Sequence, residues 1–320
     1  MSVSEPGTKA TTLPPDLILT LHHVDHWRHI VRLIIFAVIY LASAGVAVQW
    51  SQSVDHPLQW LLLIPLYLLA AASLHGISLF THEAVHGTLC QNRLLNDICG
   101  AICAFPVLQT CRAYRVLHLK HHSHLGDAGD PDHYDNYTRW TWMVFIMNWL
   151  RLLIGYPVYI TAIPILGFRQ GNRQDRIWII TEVVALLGLM VLIVMFGVST
   201  AWIIHGWLIP MLLINTMVNI RGMSQHTLLE HASDPIQGTR TILTIPLVRF
   251  FMCNENYHLE HHLYPGIPWH SLPQVHRTLN ANLSAAGAPY IRSYAAFVRE
   301  FLIHSIKRSP LGRKAEHEAK

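Results

Sequence analysis

Residues 58–80 read LQWLLLIPLYLLAAASLHGISLF, and the chain runs straight on as Thr81-His82-Glu83-Ala84-Val85-His86. The first run carries no Asp, Glu, Lys or Arg. It exceeds the roughly 20 apolar residues that a helix needs to cross a bilayer. If the helix continues to its end, His82 and His86, four positions apart, project from the same side about one turn from each other. A membrane span that ends in a pair of metal-capable imidazoles predicts an all-α integral membrane protein with its chemistry at one membrane face.

Three more stretches, 30–50, 177–197 and 201–220, are also long and apolar enough to span. A fifth, 142–167, is interrupted by Arg151, Pro157 and Pro164, which weaken a straight crossing. Composition agrees with lipid as solvent: 52% of residues are apolar and 13% charged, about half the usual charged share of about 25%. The net charge of +4 comes with no Lys/Arg stripe, which argues against nucleic acid as a partner. The five cysteines, Cys90, Cys99, Cys103, Cys111 and Cys253, form no CxxC pair. They read as reduced buried thiols rather than a zinc ribbon or a disulfide framework.

Basic residues set the sidedness. The connections at Val54-Asp55-His56-Pro57 and Val198-Ser199-Thr200 have no Lys or Arg, whereas 81–141 carries Arg93, Arg112, Arg115, Lys120 and Arg139, and 168–176 carries Arg169, Arg173 and Arg176. Positive loops face the cytoplasm. The pattern is consistent only if 142–167 lies along the interface or re-enters. The expected architecture is four transmembrane helices plus an interfacial helix, with a cytoplasmic helical cap. It divides into an N-terminal segment 1–29, a membrane domain 30–280 and a C-terminal tail 281–320. Both termini would be cytoplasmic, in what reads as a bacterial inner membrane. Trp140, Trp142, Trp149 and Trp269 fit an aromatic belt.

All the clustered histidines then share one face: His82 and His86, His118-Leu119-Lys120-His121-His122, Glu230-His231, and His258-Leu259-Glu260-His261-His262. The spacing HxxHH occurs twice and places imidazoles at three and four residues apart, on a common helix face. Nine imidazoles exceed the three or four protein ligands of one zinc. A nitrogen-rich set beside acidic residues suits iron with open positions for dioxygen, and two irons with four or five imidazoles each account for the number. The rival readings are an intramembrane zinc protease, because His82-Glu83-x-x-His86 matches HExxH, and a membrane metal carrier. The protease would leave both HxxHH repeats without a role. The carrier would need polar residues along the spans.

HxxxH, HxxHH and a terminal HxxHH over four spans resemble the membrane fatty acid desaturase and hydroxylase superfamily. The run Asn256-Tyr257-His258-Leu259-Glu260-His261-His262-Leu263-Tyr264-Pro265-Gly266-Ile267-Pro268-Trp269, with Leu272-Pro273 and His276 beyond it, is similar to the last histidine box of bacterial acyl-lipid desaturases. Asp130-Pro131-Asp132 after the second box also resembles the family. The resemblance covers roughly 30–280. Carried over by position, it implies His82, His86, His118, His121, His122, His231, His258, His261 and His262 as ligands of a non-haem di-iron centre. His231 is favoured over its neighbour His226 because of the Glu-His pair. Some relatives have Asn where Thr227 stands, which leaves a tenth, water-mediated contact in doubt.

Glu83, Asp130, Asp132, Glu230 and Glu260 are candidates to orient those imidazoles from behind, and His75 is a candidate for the substrate tunnel or for an interhelical bond. The resemblance further implies O2 as cosubstrate and a fatty acyl or lipid substrate taken from the membrane. Desaturation is the expected outcome, with hydroxylation, ketolation or oxidative decarboxylation of a lipid, hydrocarbon or carotenoid as alternatives. The segments flanking the spans lack the cysteine sets of an iron–sulfur module. Electrons are therefore expected from an external ferredoxin- or rubredoxin-like donor fed by NAD(P)H, drawn to the basic face.

Overall fold

The computed structural model describes residues 11–127, 129–132, 146, 149, 160–229 and 233–307. Helix α1 is Pro15–Leu21 and α2 is His26–Ser51. A 3-10 turn, Pro57–Leu62, leads into α3, Leu63–His86. Then follow α4 (Arg93–Ala104), α5 (Cys111–Ser123), α6 (160–170) and α7 (Arg173–Met195). A π-helical stretch, Trp202–Leu208, runs into α8 (Ile209–His226). The remainder is α9 (Pro235–Gly238), β1 (Thr241–Ile242), α10 (Pro246–Phe251), α11 (His258–Leu263), α12 (Leu272–Ala285), β2 (Tyr290–Ile291) and α13 (Tyr294–Lys307).

Four of these helical stretches are long and apolar enough to cross a membrane: His26–Ser51, Pro57–His86, Arg173–Met195 and Trp202–His226. They match the four stretches expected from hydropathy, and the protein is an integral membrane protein. Their outer faces show what surrounds them. On α7, Val184, Leu187, Val191 and Val194 are 57–76% exposed, an apolar stripe that only hydrocarbon can cover without cost. Inside the bundle α3 packs on α2, and Gly76 makes that contact possible. A β-carbon there would run into the Phe36 ring. In the π-helical stretch the Tyr40 hydroxyl donates to the Gly206 carbonyl at 3.0 Å, satisfying a backbone acceptor that the wider turn misplaces.

The segment between the second and third spans is more structured than a loop. Helices α4 and α5 form a pair bent by 102°, with Leu108 in the left-handed region (φ 53°) at the bend. Leu94, Leu95, Ile98 and Ile102 of α4 are exposed, whereas its other face packs on α3. Gly100 sits at that contact, where a β-carbon would strike the Ala84 side chain and lie 2.9 Å from Cys111 Sγ. The N-terminus of α5 is fixed by Glu182 of α7, which accepts the Arg112 backbone N–H at 3.1 Å. The Arg112 side chain bridges Asp175 (2.7 Å) and Asp97 (3.0 Å). This bent pair was not foreseen: together the two helices are apolar enough to form a span, and the sharp bend between them breaks it. Of the expected interfacial segment 142–167, Ile146, Trp149 and 160–167 fall within the described residues.

The described residues are mostly helical, as expected of an all-α protein, with one short parallel pair in which Thr241 and Ile242 lie opposite Tyr290 and Ile291. It ties the segment before the last histidine box to the start of α13. Trp269 is not a belt residue. It is 5% exposed, its indole N–H donates to His29 Nδ1 at 2.9 Å, and its ring lies under the Arg32 guanidinium, 4.5 Å from the centroid. Trp149 packs on Phe301, and Trp140 and Trp142 lie outside the described residues. From residue 11 onward the N-terminal segment packs on the last histidine box. Leu13 and Leu21 are buried against Tyr257, Leu259, Leu272 and Val275, and the Tyr264 hydroxyl accepts the Leu13 backbone N–H at 2.9 Å. All five cysteines are free thiols, as their spacing predicts.

Candidate metal centre

Four helices deliver imidazoles to one place. α3 brings His82 and His86 in its last turn, where Gly87 (φ 73°) ends the helix in the left-handed conformation that glycine adopts without strain. α5 brings His118, His121 and His122, α8 ends on His226, and α11 carries His258, His261 and His262. The donor atoms sort into two groups. His82, His86, His118, His122 and His261 form one, with ligand atoms all within 4.8 Å of one another. His121, His226 and His262 form the second on the same measure. His258 joins it, its Nε2 lying 3.1 Å from both His226 Nε2 and His262 Nε2.

The residues fit metal ions on grounds independent of any resemblance. A neutral imidazole nitrogen bears one proton or one lone pair, so it takes part in a single hydrogen bond. Yet His118 Nε2 lies 3.0 Å from His86 Nε2 and 3.1 Å from His122 Nε2, while His122 Nε2 is also 3.2 Å from His261 Nε2. His118, His122 and His258 therefore each face two nitrogens with capacity for one. Protonating every ring would only bring cations together in a buried space. A metal ion at the middle of each group satisfies all the lone pairs at once. The buried His82 Nε2, which has no hydrogen-bond partner among the described residues, belongs to the same gap. The five and four imidazoles of the two groups exceed the three protein ligands of catalytic zinc, and among the described residues neither group includes an acidic or thiolate donor.

Electrostatics prepare the rings. Burial pushes the pKa values of His118, His258, His261 and His262 far below the usual imidazole range, and that of His122 down to about 2, with neighbouring histidines adding to the shift. They are neutral at physiological pH, the form that binds metal. His121 goes the other way. Burial lowers its pKa, but the hydrogen bond it donates to Asp130 and the charges of Asp132 and Asp130 outweigh it and leave the value raised. Asp130 accepts from His121 Nδ1 at 2.9 Å and from the Gly126 and Asp132 backbone N–H groups, also at 2.9 Å. Burial opposes its ionisation, and those bonds reverse the effect and lower its pKa. His226 donates from Nδ1 to the Gly238 carbonyl at 3.0 Å, which fixes its tautomer with Nε2 as the free donor atom.

The outcome for the sequence-predicted residues is mixed. Eight of the nine histidines, together with His226, make up the two groups. His231 and Glu230 lie outside the described residues, and among the described residues His226 stands in the second group. Thr227 caps α8. His75 is buried two turns below His82 on α3, in neither group, and its Nε2 finds no partner among the described residues.

The acidic candidates divide. Asp130 orients His121, and Asp132, largely exposed, lies 3.9 Å from the same ring. Glu83 instead accepts from the Thr88 hydroxyl at 2.7 Å and the Trp269 backbone N–H at 3.2 Å, joining the first box to the loop after the last. Glu260 bonds the Thr241 hydroxyl and His276 Nδ1, each at 2.5 Å. It sits between two box histidines in sequence but faces neither.

The residue that sequence reasoning missed is Glu255. It is 3% exposed and accepts from His258 Nδ1 at 2.9 Å. Burial pushes its pKa up to about 8, against the pull of Arg221 and with a further push from Glu83. The turn that carries it has Cys253 (φ 43°) and Asn254 (φ 58°) in the left-handed region, each at a cost of about 1–2 kcal/mol for a residue other than glycine. The signal was present as Glu255-x-x-His258, since residues three apart on a tight turn can touch.

A narrow cavity opens beside the first group, lined by His82, Ser78, Gln109, Tyr114, Ile214 and Arg221 among others. The fold and the site together define a helical membrane protein with two buried groups of histidines, each able to hold a metal ion. The chain belongs to the fatty acid desaturase family, whose model matches residues 58–294. It is thus a desaturase-type oxidoreductase. A curated relative, the sn-1 oleoyl-lipid 12-desaturase of Picosynechococcus sp., is 20% identical over 255 residues, covering 70% of each chain.

Proposed function

We propose that this chain is an O2-dependent di-iron desaturase acting on the acyl chain of a membrane lipid. The observation that carries the reading is the pair of imidazole groups whose nitrogens outnumber the hydrogen bonds they can make. Family membership supports iron as the ion, and the 12-desaturase relative supports an acyl chain as substrate. His82, His86, His118, His122 and His261 would hold one iron, and His121, His226, His258 and His262 the other. When bound, the irons supply the activation of dioxygen needed to remove hydrogen from an unactivated C–H bond. The overall reaction converts CH2–CH2, O2, two electrons and two protons into CH=CH and two waters.

The chain's own part is placement and exclusion. Asp130 and the Gly238 carbonyl hold His121 and His226 by Nδ1, leaving Nε2 free as the donor atom. Burial of His82, His118, His121, His258 and His261 to 7% exposure or less keeps bulk water from the reacting centre. The cavity at His82 lies within the spans, at the wall formed by Ile214 and Val218 of α8, where a lipid chain entering from the bilayer would arrive. Arg112, Arg115, Lys120, Arg169, Arg173 and Arg176 belong to the helices at the box end of the bundle, and this supports a cytoplasmic cap that receives electrons from an acidic ferredoxin- or rubredoxin-like protein.

The test is metal analysis of the purified chain together with lipid profiling by mass spectrometry, with and without expression. The reading expects two irons per chain and a loss of two mass units in an acyl chain. One zinc per chain would overturn the di-iron assignment. A gain of oxygen instead of a loss of hydrogen would turn the outcome to hydroxylation.

A further inference from the structure

Glu255 does more than support one ring. Its Oε1 accepts from His258 Nδ1 at 2.9 Å, while its Oε2 lies 3.6 Å from His82 Nδ1. His258 belongs to the second group of imidazoles and His82 to the first. One buried carboxylate therefore faces a histidine of each group, with one oxygen for each. The contact to His82 is longer than a hydrogen bond, and among the described residues it is the carboxylate contact of that buried ring, whose other neighbours are the imidazoles of its own group. A third group completes the set, because Arg221 Nη1 lies 3.9 Å from Oε1 and carries the opposite charge.

The backbone holds the carboxylate in this position from both sides. Asn254 Nδ2 donates to the Trp269 carbonyl at 3.0 Å, and Asn256 Nδ2 donates to the Ile242 carbonyl at 3.0 Å. The Ile242 N–H returns a bond to the Asn256 carbonyl at 2.9 Å. Two consecutive left-handed residues, Cys253 and Asn254, precede Glu255. Such strain persists only where the surroundings over-determine it, and it concentrates at functional sites. Glu260 is the natural comparison: a carboxylate equally buried, five residues on, whose bonds go to Thr241 and His276 and not to a histidine of either group.

We propose that Glu255 is a positioning residue shared by the two metal groups, coupling the occupancy of one to the other. The proposal rests on the reading that each group holds a metal ion. Orienting His258 from one oxygen fixes the carboxylate plane, and that plane decides where the other oxygen meets His82. Loading either group thereby prepares the second. Glu255→Gln keeps the shape but replaces one acceptor oxygen with an NH2 donor, so the two imidazole N–H groups can no longer both be accepted. Partners of this kind are worth about 10–100-fold in metal affinity.

The experiment is an anaerobic Fe(II) titration of the full chain in detergent, followed by native mass spectrometry that counts chains with zero, one and two metals. The wild type is expected to pass from zero to two with little one-metal species. Glu255→Gln should populate the one-metal species and need about 10–100-fold more free Fe(II) for the second ion. Glu260→Gln should load like the wild type. Melting curves in chelator show whether each variant is folded before metal is added. Should Glu255→Gln fail to accumulate, Glu255→Asp, which withdraws both oxygens and keeps the charge, is expected to show the same one-metal species. A Glu255 variant that loads two ions with the wild-type distribution overturns the proposal, as does a Glu260 variant with the same defect. A wild type that binds fewer than two ions sinks the two-metal reading itself, whatever Glu255 does.

Discussion

Replacing His226 with Ala tests the metal centre at its most informative ligand. His226 ends α8, donates from Nδ1 to the Gly238 carbonyl at 3.0 Å, and sets its Nε2 3.1 Å from His258 Nε2. Its ring stands 4.8 Å from that of His121 and 4.9 Å from that of His262. The substitution leaves the second group with three imidazoles in place of four and opens the gap that the ring filled. Disturbing even an outer partner of a metal ligand weakens binding by about 10–100-fold, so loss of the ligand itself should cost at least the upper figure. A chain that held metal at 100 times its dissociation constant would lose about 2.7 kcal/mol of metal-linked stability. Without metal the cost is smaller, about 1–3 kcal/mol for leaving the buried Gly238 acceptor unpaired.

The assay is iron per chain, with melting curves measured with and without chelator. The variant should hold close to one iron, and chelator should lower its melting temperature by less than it lowers that of the wild type. His231→Ala is the companion variant, since the Glu230-His231 pair was the competing choice in the sequence. Two irons retained by His226→Ala, with one lost from His231→Ala, would refute the assignment drawn from the geometry.

Three structural predictions accompany it. Gly100→Val forces α3 and α4 apart at Ala84 and Cys111, an overpacking worth about 1–3 kcal/mol, and it should lower both melting temperature and iron content, since His82 and His86 ride on α3. Trp269→Phe keeps the ring but deletes the donor to His29 Nδ1; about 1–3 kcal/mol of stability should go with the unpaired buried acceptor, and an unchanged melting curve would contradict the buried role assigned to this residue. Arg112→Ala leaves Asp97 and Asp175 without a shared partner, so α5 should loosen where it meets α7. Limited proteolysis between α4 and α5 should then become faster, while Asp175→Asn should reproduce only part of the effect, because Asp97 would keep its bond.

The spans were legible because hydropathy is an average over about 20 residues, and no tertiary detail is needed to compute it. The boxes were legible because imidazoles at repeated spacing are rare in an apolar chain. What the sequence hid was set by long-range approach. Glu83, Glu255 and Glu260 look alike as acids beside histidines. Only packing decides that Glu83 turns to Thr88 and the Trp269 backbone, Glu260 to His276 and Thr241, and Glu255 to His258 and His82. His226 was outweighed by His231 for a similar reason. That a helix ending at residue 226 can point its last side chain at the second group is visible only in the fold. The bent α4–α5 pair stayed hidden because hydropathy reports how apolar a stretch is and not the 102° bend that divides it.

The doublets His121-His122 and His261-His262 carry information that the three- and four-residue spacings do not. Adjacent residues on a helix point about 100° apart, so a doublet cannot serve one small ion with both rings, whereas residues four apart can. In α5, His118 and His122 turn to the first group and His121 to the second; in α11, His258 and His262 turn to the second and His261 to the first. Each box thus gives two ligands to one centre and one to the other, in opposite senses. α3 then adds a pair to the first group and α8 a single ring to the second, which makes five and four. A protein built around one ion would gain nothing from either doublet. HxxHH repeated on two helices is therefore a two-centre motif by geometry alone, with the two centres as close together as neighbouring side chains on one helix can place them. The His122 and His262 rings, one from each group, stack with their centroids 4.1 Å apart. A shift of either ring is therefore felt by the other, and the Glu255 carboxylate between His82 and His258 lies where the two groups can be coupled.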